Sequence, residues 1–104
     1  MSERIEIFKQ MLEADPSNHM VLFGLANEYI KEGNHSKAVQ TLEEYISKAE
    51  DEGAAYGMMA KSYEALGEND KAKKAYEQGI EVALGHGHPS MAEEYKNILD
   101  SDFH

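Results

Sequence analysis

The sequence predicts an all-α protein built from repeated antiparallel helix hairpins, and three observations support this prediction. Strong helix formers dominate the 104 residues, while β-branched residues are sparse and only two prolines occur. Shifting the sequence by 34 residues aligns 22–46 with 56–80 and gives seven identities. In both segments, apolar residues recur at helical spacing on either side of a glycine. The identical pairs are Ala26/Ala60, Tyr29/Tyr63, Gly33/Gly67, Lys37/Lys71, Ala38/Ala72, Glu43/Glu77 and Ile46/Ile80.

The composition narrows the classes of function. Hydrophobic residues make up 41% of the chain and charged residues 29%, as in folded soluble proteins, so we expect one domain over 1–104. The net charge of −10 disfavours nucleic acid and anionic membranes as partners. The absence of cysteine excludes disulfides, thiolate metal sites and thiol nucleophiles. Because the N-terminus lacks a signal-peptide core and no segment has the length of a membrane span, we expect a cytoplasmic protein.

The first predicted elements are a single helix over 2–14 and a first hairpin over 16–49. In the turn between them, we expect Asp15 to be the N-cap of the next helix and Pro16 to be its first residue. That helix extends to about Glu32 and ends at Gly33, which supplies a left-handed residue. Asn34 or Ser36 then caps a helix through about Ala49. The inward stripes are Leu22, Leu25, Ala26 and Tyr29, then Ala38, Val39, Leu42, Tyr45 and Ile46.

The second hairpin, over 51–84, repeats this plan, and a final helix over 89–103 closes the chain. Gly67 ends the first helix of the hairpin, and Asn69 or Asp70 caps the second. The closing helix begins with Pro89 and a capping box from Ser90 to Glu93. The inward stripes are Tyr56, Met59, Ala60 and Tyr63; Ala72, Ala75, Tyr76, Ile80 and Ala83; and, in the closing helix, Met91, Tyr95, Ile98 and Leu99.

This order of residues resembles the tetratricopeptide repeat (TPR), a 34-residue helix–turn–helix unit with the pattern W-x₂-L-G-x₂-Y…A-x₃-F…P. Those positions hold Leu22, Leu25, Ala26, Tyr29, Ala38, Leu42 and Glu50 in the first repeat, and Tyr56, Met59, Ala60, Tyr63, Ala72, Tyr76 and Leu84 in the second. One period earlier, Phe8 and Pro16 match the Phe and Pro positions, so 2–14 looks like half of a preceding repeat. The family's final prolines are absent, and Tyr45 and Gly79 stand where it usually has Ala. The layout is similar to that of short bacterial TPR proteins.

The resemblance implies an α-solenoid of about six helices that binds a protein segment in a concave groove lined by the first helix of each repeat. Carried onto this sequence, one wall holds Met20, Phe23, Asn27, Ile30 and Lys31, and the other holds Ala54, Gly57, Met58, Lys61, Glu64 and Ala65. Of the family's carboxylate clamp of Lys, Asn and Arg, only Asn27 matches, so a clamp for a chaperone tail is not expected. The apolar walls suit a peptide or helix, and the acidic surface favours a basic partner.

Three interpretations of the apolar wall residues stay open. They line an open groove, they mediate self-association into a homodimer, or other helices of the chain cover them.

Metal and catalytic chemistry have little support in the sequence. His86 and His88 flank Gly87 and would need a further ligand such as His104 or Glu94 to form a divalent-metal site. We interpret 85–89 as a plain connection between two helices, in which Gly85 ends one helix and Pro89 begins the next. No nucleophile elbow, phosphate-binding glycine loop or metalloprotease motif occurs. We therefore expect a non-enzymatic protein that needs no cofactor.

Overall fold

The structure, a computed structural model, describes residues 3–103, and over that range it contains six α-helices and no strand. The helices are α1 (Glu3–Ala14), α2 (His19–Lys31), α3 (His35–Lys48), α4 (Ala54–Ala65), α5 (Asn69–Gly85) and α6 (Pro89–Asp102). The predicted all-α class is confirmed. The chain divides after Glu50 into two compact units of three helices each. None of the helices in the described part is long and apolar enough to span a membrane.

The first unit is the hairpin of α2 and α3 with α1 packed against α2. Tyr29 on α2 and Ala38 on α3 join the hairpin to Ile5 of α1, and Leu25 completes the buried cluster. Phe8, Leu12 and Ile30 pack against it at the periphery. The four predicted α2 stripe residues are all buried, whereas Tyr45 and Ile46 of α3 are half-buried.

The second unit is the hairpin of α4 and α5 with α6 packed against α5. Met59, Ala60 and Tyr63 of α4 and four of the five predicted α5 residues are buried, Ile80 being half-buried. Tyr76 of α5 is the largest side chain with almost no exposed surface. α6 contributes Ala92 and Tyr95 to this core.

The glycine stops have the same geometry in both repeats. Gly33 and Gly67 have φ of 76° and 77°, the left-handed conformation that the sequence predicts for them. Beyond each glycine, the next backbone N–H donates to the carbonyl of a tyrosine: Asn34 to Tyr29 at 2.8 Å and Glu68 to Tyr63 at 2.9 Å. A lysine at the next helix start lies over the same tyrosine ring, Lys37 at 5.8 Å and Lys71 at 5.9 Å from the centroid.

The N-terminal caps differ from the prediction at three helices. α2 begins at His19, because the side chain of Asn18, and not that of Asp15, accepts from a backbone N–H, at 3.2 Å from Val21. The Asp15 carbonyl instead accepts from Asn18 N–H, which closes a turn before the helix. α5 begins after Glu68 without a side-chain cap. α6 begins at Pro89 with His88 at the N-cap, two residues earlier than a capping box of Ser90 and Glu93 requires.

The other two caps have clear donors and acceptors. Asn34, one of the two predicted candidates, caps α3 by accepting from Lys37 N–H at 3.3 Å. Asp51 accepts from the N–H groups of Gly53 at 2.8 Å and Ala55 at 3.0 Å and so caps the start of α4.

Candidate binding surfaces of the two repeats

The predicted wall on α2 begins with an exposed methionine, and an aromatic pair follows about one turn later. Met20 has 77% of its surface exposed. The half-buried Phe23 ring lies 5.1 Å from the ring of Tyr45 on α3, tilted by 56°. His19 lies 6.4 Å from the same Tyr45 ring, and Asn27, one turn after Phe23, is half-buried. This end of α2 therefore presents an apolar and aromatic surface with a polar amide beside it.

The other two α2 candidates lie on the side that α1 contacts. Ile30 packs against the buried cluster that joins α1 to the hairpin. Lys31 Nζ lies 3.4 Å from Oε2 of the buried Glu28, and Arg4 Nε of α1 lies 3.5 Å from the same oxygen. Glu28 therefore forms ion pairs with two basic side chains, one of them from α1. Both candidates therefore make contacts within the first unit.

In the second unit, Tyr95 of α6 enters a slot formed by two glycines. A Cβ atom added to Gly57 of α4 would lie 2.8 Å from Cζ of Tyr95, and one added to Gly79 of α5 would lie 2.8 Å from Cε2. The Tyr95 hydroxyl donates a 2.9 Å hydrogen bond to the Gly53 carbonyl. Burial raises the pKa of this hydroxyl. α6 therefore covers α4 at Gly57, one of the predicted wall residues.

Met58 and Lys61 lie beside this contact, in a cleft of about 310 Å³ between α4 and α6. The α4 side consists of Ala54, Gly57, Met58 and Lys61, and the α6 side consists of Ser90, Met91, Glu94 and Tyr95. Met58 and Met91 are half-buried, whereas Lys61 and Glu94 are exposed. The second repeat thus offers an apolar cleft with charges of opposite sign on its two sides.

Glu64 is directed toward α5. Its Oε2 accepts a 2.8 Å hydrogen bond from the hydroxyl of Tyr76. The Tyr76 ring is also flanked by the rings of Tyr95 at 5.7 Å and Phe103 at 5.9 Å. Burial, and then the hydrogen bond to Glu64, raise the pKa of the Tyr76 hydroxyl. Glu64 therefore satisfies a tyrosine hydroxyl within the second unit.

The contributions of Met91 and Glu94 to the cleft, and of Tyr95 to the slot, were absent from the predicted walls. The signal that could have found them is a pair of substitutions at the 34-residue spacing. Where the first repeat has Phe23 and Tyr45 in contact, the second has Gly57 and Gly79. Loss of both aromatic rings at adjoining positions leaves space that another side chain must fill.

One of the two loop histidines contacts the loop between α3 and α4. His88 pairs with Glu52 through Nε2 and Oε1, and this hydrogen bond lowers the pKa of the Glu52 carboxyl. Across 3–103, no group of three His, Asp or Glu side chains is arranged to hold a metal ion. His104, the further ligand considered from the sequence, lies outside the described residues.

Comparison with known proteins identifies a family, and the similar chains include a bacterial protein and a solved structure. The family model for the tetratricopeptide repeat matches residues 5–61 and 29–86. The TPR repeat-containing protein PA0015 of Pseudomonas aeruginosa is 28% identical over 95 residues, which cover 91% of this chain and 90% of that protein. The crystal structure of MamA superposes with a TM-score of 0.54 at 21% identity, over 92% of this chain and 85% of that one. The similarity to MamA is one of fold.

Proposed function

Because the chain belongs to the tetratricopeptide repeat family, we propose that it is a non-catalytic protein–protein interaction module of the cytoplasm. It binds a peptide or a helical segment against the first helices of its repeats, in the groove expected for the family. The observation that carries the proposal is Met20, a large apolar side chain that is 77% exposed and precedes Phe23 by about one turn of α2; the Phe23 ring contacts that of Tyr45. A bound segment would remove this surface from water.

Each repeat has a polar residue beside its apolar ones. Asn27 on α2 and Lys61 on α4 occupy equivalent positions of the two repeats, because they are 34 residues apart. An amide and an ammonium can both donate to the backbone carbonyls of an extended segment. Phe23, Asn27, Met58 and Lys61, with Met20, are the residues on which the proposal depends. Ile30, Lys31 and Glu64, which the sequence also places in the groove, make contacts within their own units as well.

A peptide ligand selected from a random library tests the proposal. Its affinity would be measured by calorimetry for the wild type, Met20→Glu and Met58→Glu. Loss of apolar contact and burial of a charge weaken binding by about tenfold or more in each variant. Leu84→Glu is the matched control, since Leu84 is 50% exposed on α5, outside the proposed surface. An equal loss of affinity in all three variants, or the absence of any ligand, would contradict the proposal.

The same exposed methionine supports a second candidate, self-association through this face. In that case the wild type forms a dimer whose mass rises with concentration, and Met20→Glu is a monomer. Sedimentation velocity on both proteins decides between the two candidates. A wild type that stays monomeric across the concentration range contradicts self-association and leaves the binding of a separate segment in place.

A further inference from the structure

We propose that the cleft between α4 and α6 binds a protein segment in which an apolar side chain is flanked by lysine or arginine. This inference rests on the proposed function, because it names the partner class and the position at which that partner is anchored. The apolar anchor enters between Met58 and Met91, and the basic side chains of the segment lie over α6.

The floor of the cleft suits a single apolar anchor. Its volume of about 310 Å³ is at the small end for ligand pockets, so it holds a side chain and not a whole helix. Gly57 contributes no side chain, and the Tyr95 ring fills the slot beneath it. Met58 and Met91 have flexible thioether chains that adapt to anchors of different shape. The cleft therefore requires an apolar residue without fixing which one.

The α6 side of the cleft carries the negative charge. Glu94 lines the cleft. Glu94 also lines an adjoining depression along α6, and the carboxylates of Glu93 and Asp102 line that depression with it. Within the described residues, none of these three carboxylates forms an ion pair with the chain's own lysines or arginines. Three exposed carboxylates around this depression attract cationic side chains.

The α4 side carries the opposite charge and fixes the orientation of the segment. Lys61 is exposed and has no carboxylate partner in the part of the chain that the structure describes. A basic side chain is repelled from Lys61 and attracted to Glu93 and Glu94. The net charge of −10 adds long-range attraction for a basic segment and makes its association sensitive to salt.

Three short synthetic peptides and ¹⁵N NMR titration test this inference. One peptide has a central Leu flanked by Lys, the second replaces the Lys by Glu, and the third replaces the Leu by Ser. Only the first shifts the backbone resonances of Met58, Lys61, Met91 and Glu94, at peptide concentrations on the order of millimolar or below. Absence of these shifts with the Lys-flanked Leu peptide, or equal shifts with its Glu counterpart, would overturn the inference.

Two double charge reversals distinguish the effect of the carboxylates on α6 from the effect of the net charge of the protein. Glu93→Lys with Glu94→Lys weakens binding of the Lys-flanked Leu peptide by about fivefold to tenfold at low salt. Glu77→Lys with Glu81→Lys makes the same change in net charge on exposed residues of α5 and leaves the affinity within about twofold. Equal weakening by both pairs overturns the assignment of the carboxylates. Library ligands that perturb Met20 and Phe23 while ignoring α6 would keep the proposed function and overturn this inference.

Discussion

Equivalent residues of the two repeats show how one position can be filled in two ways. Phe23 and Tyr45 fill the space between α2 and α3 with their own rings. Gly57 and Gly79 leave the corresponding space between α4 and α5 empty of side chains, and Tyr95 of α6 occupies it. The packing density of the second unit therefore depends on a residue outside the repeat.

Substitution of Gly57 tests this packing. Gly57→Ala places a methyl group against the Tyr95 ring and hydroxyl and lowers the free energy of unfolding by about 1–3 kcal/mol through overpacking. Gly85→Ala is the control, because an added Cβ there meets no atom within 4 Å and the φ of Gly85 is not positive. Urea unfolding of both variants gives the comparison. Equal midpoints for the two variants would show that Tyr95 does not fill the slot.

The buried tyrosines predict a loss of stability at alkaline pH. Because the folded-state pKa values of Tyr76 and Tyr95 are raised above the ordinary value of about 10, the unfolded chain releases these protons first. Their contribution to stability is complete below that pH and is lost as the pH rises through the folded-state values. Tyrosinate absorbance followed during alkaline titration shows a late group of hydroxyls. Tyr76→Phe removes one of them, and an unchanged late group in that variant would contradict the assignment.

At the scale of the helix, the N-cap of α2 differs between the sequence prediction, Asp15, and the structure, Asn18. Asn18→Ala removes the side-chain acceptor for Val21 N–H and costs about 1 kcal/mol of unfolding free energy. Asp15→Ala, at the position the sequence favours, changes stability by less than about 0.5 kcal/mol because Asp15 is exposed and precedes the turn. Urea midpoints measure both. The reverse order of the two effects would mean that α2 begins at Pro16.

The helices and the glycines that end them could be predicted because the same pattern occurs in both repeats. Gly33 and Gly67 both end a helix in the left-handed conformation. The contacts of Lys37 and Lys71 with the rings of Tyr29 and Tyr63 explain why lysine occurs at the same position in both repeats. The caps were less predictable, since Asp15 and Asn18 both have suitable side chains and the choice depends on the turn between them. The contact of Tyr95 with Gly57 joins residues far apart in sequence, so helical spacing could not reveal it.

At the scale of the molecule, the repeat pattern predicted the family and a class of function. It could not predict which wall residues face a partner, because that depends on where the flanking helices α1 and α6 pack. α1 brings Arg4 to Glu28, beside Lys31, and α6 brings Met91 and Glu94 to Met58. A repeat motif describes contacts within a hairpin and carries no information about such neighbours.

The most direct test of the central claim is methyl NMR of the methionines with a peptide ligand selected from a random library. The chain has six methionines, and those on the proposed surface, Met20 and Met58, differ in setting from the buried Met59 and from Met11 on the outer side of α1. We expect the Met20 and Met58 methyl signals to shift at saturation while those of Met59 and Met11 stay in place. Shifts confined to Met11, or no shift at Met20 and Met58, would contradict binding along the first helices of the repeats.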